Sequence, residues 1–187
     1  MQIVNYGNIK EMLMFPEETQ CVLDHIKNLK PDGLMVEWGT GGSTCKWLEN
    51  LQHDQKLITI EHESNWYYNV KASVKDHFGN LPESKFKFIL AGLEEGFYQY
   101  YGVPQEENPV GLRKYINPSE EIFDADIFFI DGIARGACAM SVLLNRTKKD
   151  SVLFIHDYKP RVTWYNWVTQ FCNVELIGTT LVKLTRK

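Results

Sequence analysis

Short apolar runs recur along the chain, and the residues between them repeat at helical spacing. Residues 34–36, 56–61, 85–90, 126–130 and 151–155 read as strands. The run through Ile127, Phe128, Phe129 and Ile130 has no polar break, as in a strand buried on both faces of a parallel sheet. Pro16, Glu17 and Glu18 open a helix, because proline suits a first turn and acids suit the positive end of the helix dipole. Val22, Leu23, Ile26 and Leu29 then fall on one stripe, and Pro31 to Gly33 ends it. Further helices are expected over 44–51 and over 65–78, the second capped by Ser64. Two more follow Gly132 and span 163–171. The last strands, 174–177 and 180–184, flank Gly178-Thr179 as an antiparallel hairpin. Strands that alternate with helices and close in a hairpin predict one α/β domain over 1–187, built on a doubly wound, mostly parallel sheet with helices on both faces.

The pattern fails over 91–123, which is long for a connection between a strand and the next element. Phe97, Tyr98, Tyr100, Tyr101 and Tyr115 stand there among Pro104, Pro109 and Pro118. The segment is expected to be an insertion or lid beside the substrate site.

The chemistry concentrates where strands end. The first apolar run stops at Glu37, and Trp38, Gly39, Thr40, Gly41, Gly42, Ser43 and Thr44 follow. That order is strand, tight turn and helix N-terminus, with Ser43 or Thr44 as the cap. Glycines there let a ligand approach the backbone. The spacing E-x-G-x-G-G-S lacks the third glycine of dinucleotide-binding proteins, since Thr44 stands in its place, and it lacks the Gly-Lys-Ser/Thr of a P-loop. Glu61 closes the second strand, twenty positions after Gly41. A carboxylate at that distance can accept from both hydroxyls of a ribose. Asp131, His156 and Asp157 end the fourth and fifth runs. In an open α/β sheet ligands bind along that edge.

Residues 37–43, followed by ITIE at 58–61, IFFIDG at 127–132 and VLFIHD at 152–157, resemble the motifs of class I S-adenosylmethionine (SAM)-dependent methyltransferases. The resemblance covers roughly residues 17–185. It implies a seven-stranded sheet of order 3-2-1-4-5-7-6 and SAM as cofactor. The methionine end would lie over Glu37 and the turn (Trp38, Gly39, Thr40, Gly41, Ser43, Thr44), with Asp131 close by. Glu61 would hold the ribose, and the adenine would sit near Ala91, Gly92 and Leu93. Trp38 could instead fill the core.

Methyl transfer to a hydroxyl needs the acceptor oriented and its proton removed. Asp131, His156 and Asp157 are the candidate catalytic residues, with His156 preferred as base for its near-neutral pKa. Asp131 and Asp157 also resemble the metal-binding acids of metal-dependent O-methyltransferases, which implies Mg²⁺ or Mn²⁺. Asp131 could alternatively cap the next helix, and His156 could be structural. Arg135, Tyr158 and Tyr101 are candidate substrate contacts. The Gly-Gly-Ser after the glutamate and the Asp-Gly after strand four resemble small methyltransferases acting on glycan hydroxyls. The expected function is therefore O-methylation of a small polar acceptor, best a sugar or glycan. The alternative is a non-catalytic module binding a nucleoside or glycan.

Composition narrows this further. A chain of 187 residues that is 44% hydrophobic can bury one core. A net charge of −4 argues against nucleic acid as partner. No apolar run reaches the ~18 residues of a membrane span, and no signal peptide is recognised, so a cytoplasmic protein is expected. Cys21, Cys45, Cys138 and Cys172 are scattered, as free thiols in a reducing compartment would be.

Overall fold

In the computed structural model every apolar run becomes a strand of the same sheet. The structure describes residues 12–52, 54–94, 111–159 and 162–187, with only the backbone at 162–164. The strands are β1 (Leu34–Trp38), β2 (Lys56–Glu61), β3 (Phe86–Leu90), β4 (Ile127–Ile130), β5 (Val152–Ile155), β6 (Cys172–Ile177) and β7 (Leu181–Arg186). Their order is β3-β2-β1-β4-β5-β7-β6. Pairs among β1 to β5 are parallel, whereas β7 runs antiparallel to both β5 and β6. The expected topology and hairpin are both present.

The period of two sorts the side chains. Met35, Leu57, Ile127, Phe129 and Phe154 face one core, which is covered by α1 (Pro16–Lys27), α2 (Gly42–Asn50) and α3 (Ser64–Phe78). Val36, Trp38, Ile58, Ile60, Phe128, Ile130 and Ile155 face the other. That side is covered by α4 (Arg113–Ile116), α5 (Arg135–Asn145) and α6 (Val162–Thr169). No helix among the described residues is long and apolar enough to cross a membrane. The four cysteines are free thiols, as expected.

Three local expectations change. Ser64 is the first residue of α3 rather than its cap; the Glu63 carboxylate caps instead, accepting from the amides of Asn65 and Trp66. Helix α5 starts beyond Ala134, which is left-handed at φ 53°, so Asp131 does not cap it. Within 111–123, Leu112, Tyr115, Ile122 and Phe123 are buried in the core rather than standing over the sheet edge. Residues 95–110, with Tyr101, lie outside the described residues.

One long-range clamp fixes α1 to the far end of the sheet. Glu18 is fully buried. Its Oε1 accepts from the amides of Thr179, Thr180 and Leu181 in the β6–β7 turn, and its Oε2 accepts from the Phe15 amide at 3.3 Å. The Thr180 hydroxyl is 3.0 Å from both oxygens. Burial alone would raise the Glu18 pKa, but the donors of Thr180, Leu181 and Phe15 outweigh it and lower the value. Such a group stabilises the fold above its unfolded pKa, and that contribution is lost as pH falls through the folded value.

Glu18→Ala leaves the turn amides without their acceptor. Urea denaturation at neutral pH should show a loss of about 3 kcal/mol or more. The gap to wild type should narrow as pH drops below ~4.

Candidate functional site

The site forms where the loops after β1 and β4 cross. Gly39 adopts φ +82°, and a Cβ on it would stand 2.5 Å from the Cα and N of Gly132. A Cβ on Gly132 would in turn meet the Tyr115 hydroxyl. These two glycines are demanded by packing. Gly41 and Gly92 differ: a Cβ would come no nearer than 3.9 Å to Trp66 at the first and 4.0 Å to the His62 carbonyl at the second. Each is an ordinary van der Waals contact, so packing does not demand glycine at either position. One lies at the N-terminus of α2 and the other just past β3.

Two buried carboxylates shape the turn between these glycines. Glu37 has no exposure. Its Oε1 accepts from Ser43 Oγ at 2.7 Å and Trp47 Nε1 at 3.1 Å. Its Oε2 accepts from Thr44 Oγ1 at 2.7 Å and Thr59 Oγ1 at 2.8 Å. Alternation along β1 turns it to the α2 side, away from Trp38. Glu37 thus holds the start of α2, and Ser43 and Thr44 turn inward with it. Complete burial pushes its pKa up to about 7, against the pull of those three hydroxyls.

Glu61 is 3% exposed and grips the turn from β2. Its Oε2 takes the Thr40 amide at 3.1 Å and the Thr40 hydroxyl at 3.0 Å. Its Oε1 takes the amides of His62 and Glu63 at 2.8 and 2.9 Å, and His62 Nδ1 lies 2.9 Å away. Burial works to raise its pKa, but the His62 ring and the Glu63 and Thr40 donors lower it, so the carboxylate is ionised at neutral pH. The Thr40 hydroxyl and the His62 ring are the side-chain donors here, and the other donors are backbone amides.

Beyond β4 and β5 stands a second charged group. Asp131, His156 and Asp157 each offer one ligand atom, all within 4.8 Å of one another. His156 Nδ1 is 2.8 Å from Asp131 Oδ1, and its Nε2 faces Glu18 Oε2 at 3.7 Å. Burial would lower the His156 pKa, but Asp131 and then Asp157 raise it above the ordinary value. Arg135 Nη1 lies 3.1 Å from Asp157 Oδ2, and Nη2 lies 3.3 Å from Asp131 Oδ1.

Several expected roles are therefore corrected. Arg135 is 5% exposed and spent on the loop itself, so it is not a substrate anchor. His156 has both ring nitrogens turned to carboxylates, so it presents no lone pair to an acceptor. Trp38 has no exposure and donates to the Tyr115 carbonyl at 2.8 Å; it is core. Tyr158 is 8% exposed and packs 6.1 Å from the Tyr165 ring; it is core as well. Asp131 and Asp157 keep side-chain exposures of 26% and 35%, and Leu93 is half-buried beside Gly92. Reasoning from sequence missed Glu18 and His62. His62 carried a faint signal, since it follows the acid that ends β2.

Two pH dependences follow. Glu37 holds a proton in the folded state that it loses when unfolded, so its contribution to stability should fall as pH rises from about 4.5 to about 7. Chemical denaturation across that range should show a flatter profile for Glu37→Gln than for wild type. The raised His156 pKa acts with its own sign: its ion pairing is fully present below ~6.5 and lost as pH rises through the folded value. The cost of His156→Asn should therefore shrink in alkaline buffer.

No family model and no curated protein matches the chain. Solved structures do. A methyltransferase-like protein from Silicibacter pomeroyi matches with a TM-score of 0.71 at 18% identity, over 95% of this chain and 88% of that one. A SAM-dependent O-methyltransferase from Thermotoga maritima matches at 0.61 and 10% identity, over 98% and 70%. A Podospora anserina methyltransferase bound to S-adenosylhomocysteine (SAH) matches at 0.59 and 11% identity, over 90% and 77%. The chain has the fold of class I SAM-dependent methyltransferases.

Proposed function

We propose that the protein is a SAM-dependent methyltransferase acting on a hydroxyl of a small polar acceptor, with a sugar or glycan as the favoured class. The observation that carries the reading is the contrast among glycines. Gly39 and Gly132 are closed by packing, while at Gly41 and Gly92 a Cβ would meet a single atom at ordinary van der Waals distance, near an ionised, buried Glu61. That is the shape and charge a nucleoside with a free ribose diol requires.

SAM would supply an electrophilic methyl group on a sulfonium. Gly39, Thr40 and Gly41 would line its methionine side, Glu61 would accept from the ribose, and Gly92 with Leu93 would flank the adenine. Asp131 then takes the part first given to His156. It is partly exposed at the same edge, and its Oδ1 is held by His156 at 2.8 Å. Asp131 accepts the acceptor's hydroxyl proton as the oxygen attacks. His156 and Arg135 stabilise the carboxylate before the transfer, and Asp157 offers the acceptor a second oxygen. Partly exposed carboxylates at this edge suit a polyhydroxylated molecule, and the net charge of −4 disfavours nucleic acid.

Calorimetric titration with SAM and SAH tests the cofactor. Micromolar binding is expected, weakened at least about tenfold by Glu61→Ala, the loss of two charge-assisted hydrogen bonds. Transfer of a labelled methyl group to a sugar panel tests the chemistry. Asp131→Ala should keep cofactor affinity and lose about a hundredfold or more in turnover. If neither SAM nor SAH binds, the enzyme reading fails and a nucleoside- or glycan-binding module replaces it.

A further inference from the structure

The cluster at the ends of β4 and β5 has the ligand spacing of a divalent-cation site, yet a cation of the protein's own already sits in it. The Arg135 guanidinium is ringed by oxygens. Nε donates to the Gly132 carbonyl at 2.8 Å. Nη1 donates to the His156 carbonyl at 2.8 Å and to Asp157 Oδ2 at 3.1 Å. Nη2 donates to the Asp131 carbonyl at 3.2 Å and pairs with Asp131 Oδ1 at 3.3 Å. Two carboxylates and three carbonyls are the kind of oxygen set a hard cation collects.

We propose that Arg135 is the resident cation of this site, standing where a divalent metal would otherwise bridge Asp131 and Asp157. The charges agree. Asp131 and Asp157 are met by the guanidinium, and the imidazole of His156 lies between Asp131 and the buried Glu18. Burial acts against the charge on Arg135, but Asp131 and Asp157 more than restore it. A dication entering here would have to displace a side chain that is 6% exposed and bound on every arm. Helix α5 aims that side chain back under the loop, because the left-handed Ala134 turns the chain at its first residue. In the methyl-transfer reading, on which this last step rests, Asp131 works as a carboxylate oriented by two organic cations and needs no Lewis acid.

The test is manganese binding, followed by the electron paramagnetic resonance of free Mn²⁺, with no acceptor or cofactor present. Wild type should bind no Mn²⁺ stoichiometrically in the micromolar range. Arg135→Gln removes the charge and keeps donors for the carbonyls. It should gain one Mn²⁺ per chain, at least about tenfold tighter than wild type, and the gain should vanish when Asp131→Asn is added. Mn²⁺ should raise the melting temperature of Arg135→Gln and leave that of wild type unmoved. A stoichiometric wild-type site lost on Asp131→Asn would overturn the proposal, and so would a folded Arg135→Gln that gains nothing. Should Arg135→Gln fail to fold, the wild-type titration decides alone: one saturable Mn²⁺ refutes the assignment and none upholds it. SAM binding reports separately on the function, so failure of one does not imitate failure of the other.

Discussion

A carboxylate shut away from water must be met by donors, or burial drives it toward the neutral acid. Glu18, Glu37 and Glu61 are all buried, and each is met. Each also fastens a different boundary of the same edge. Glu37 ties the end of β1 to the first turn of α2, and Glu61 ties the end of β2 to Thr40. Glu18 ties α1 to the β6–β7 turn and faces His156. A glycine-rich turn has little stiffness of its own, since glycine has the most conformational freedom to lose on ordering. The shape of this one comes from acids on either side of it. The same donors that satisfy the acids give the cleft its form.

The two middle acids nevertheless differ in charge state, and the difference follows from what surrounds them. The Glu37 donors are hydroxyls and an indole on an otherwise apolar face, where burial dominates and the pKa rises to about 7. Glu61 is held by backbone amides and a histidine ring, and its pKa is lowered. Fixed amides cannot turn away from an anion, whereas a hydroxyl can donate or accept. Glu61 is therefore held as an anion, as the proposed ribose contact requires, and Glu37 is a brace.

The sheet was legible because its signals are local. Ile127 to Ile130 can be read as a buried strand without knowing what it packs on, and Gly178-Thr179 can be read as a hairpin turn. The strand-end polar residues were equally visible. Their directions were less so, although alternation carried part of the answer: if Val36 and Trp38 share a face with the core, Glu37 points the other way. Arg135 and Tyr158 were misplaced because closeness to Asp131 or Asp157 in sequence says nothing about which side of the loop a side chain takes. Glu18 was hidden more deeply. Its partners lie more than 160 positions away, and in sequence it looks like any acid in a first helical turn. The core residues of 111–123 were harder to read, since prolines and aromatics at an irregular spacing obscured two short helices.

The placement of His156 decides how the charged edge works. A general base must turn a lone pair toward the proton it takes. The Nδ1 of His156 is on Asp131 and its Nε2 is toward Glu18, and neither direction opens on the cleft. An imidazole between two acids favours its protonated form, which is the form least able to act as a base. Its effect instead falls on Asp131, which faces it on one side and Arg135 on the other. Two cationic side chains behind one carboxylate fix its oxygens in place. In the proposed methyl transfer, an oriented carboxylate of this kind would be the group that takes the acceptor's hydroxyl proton.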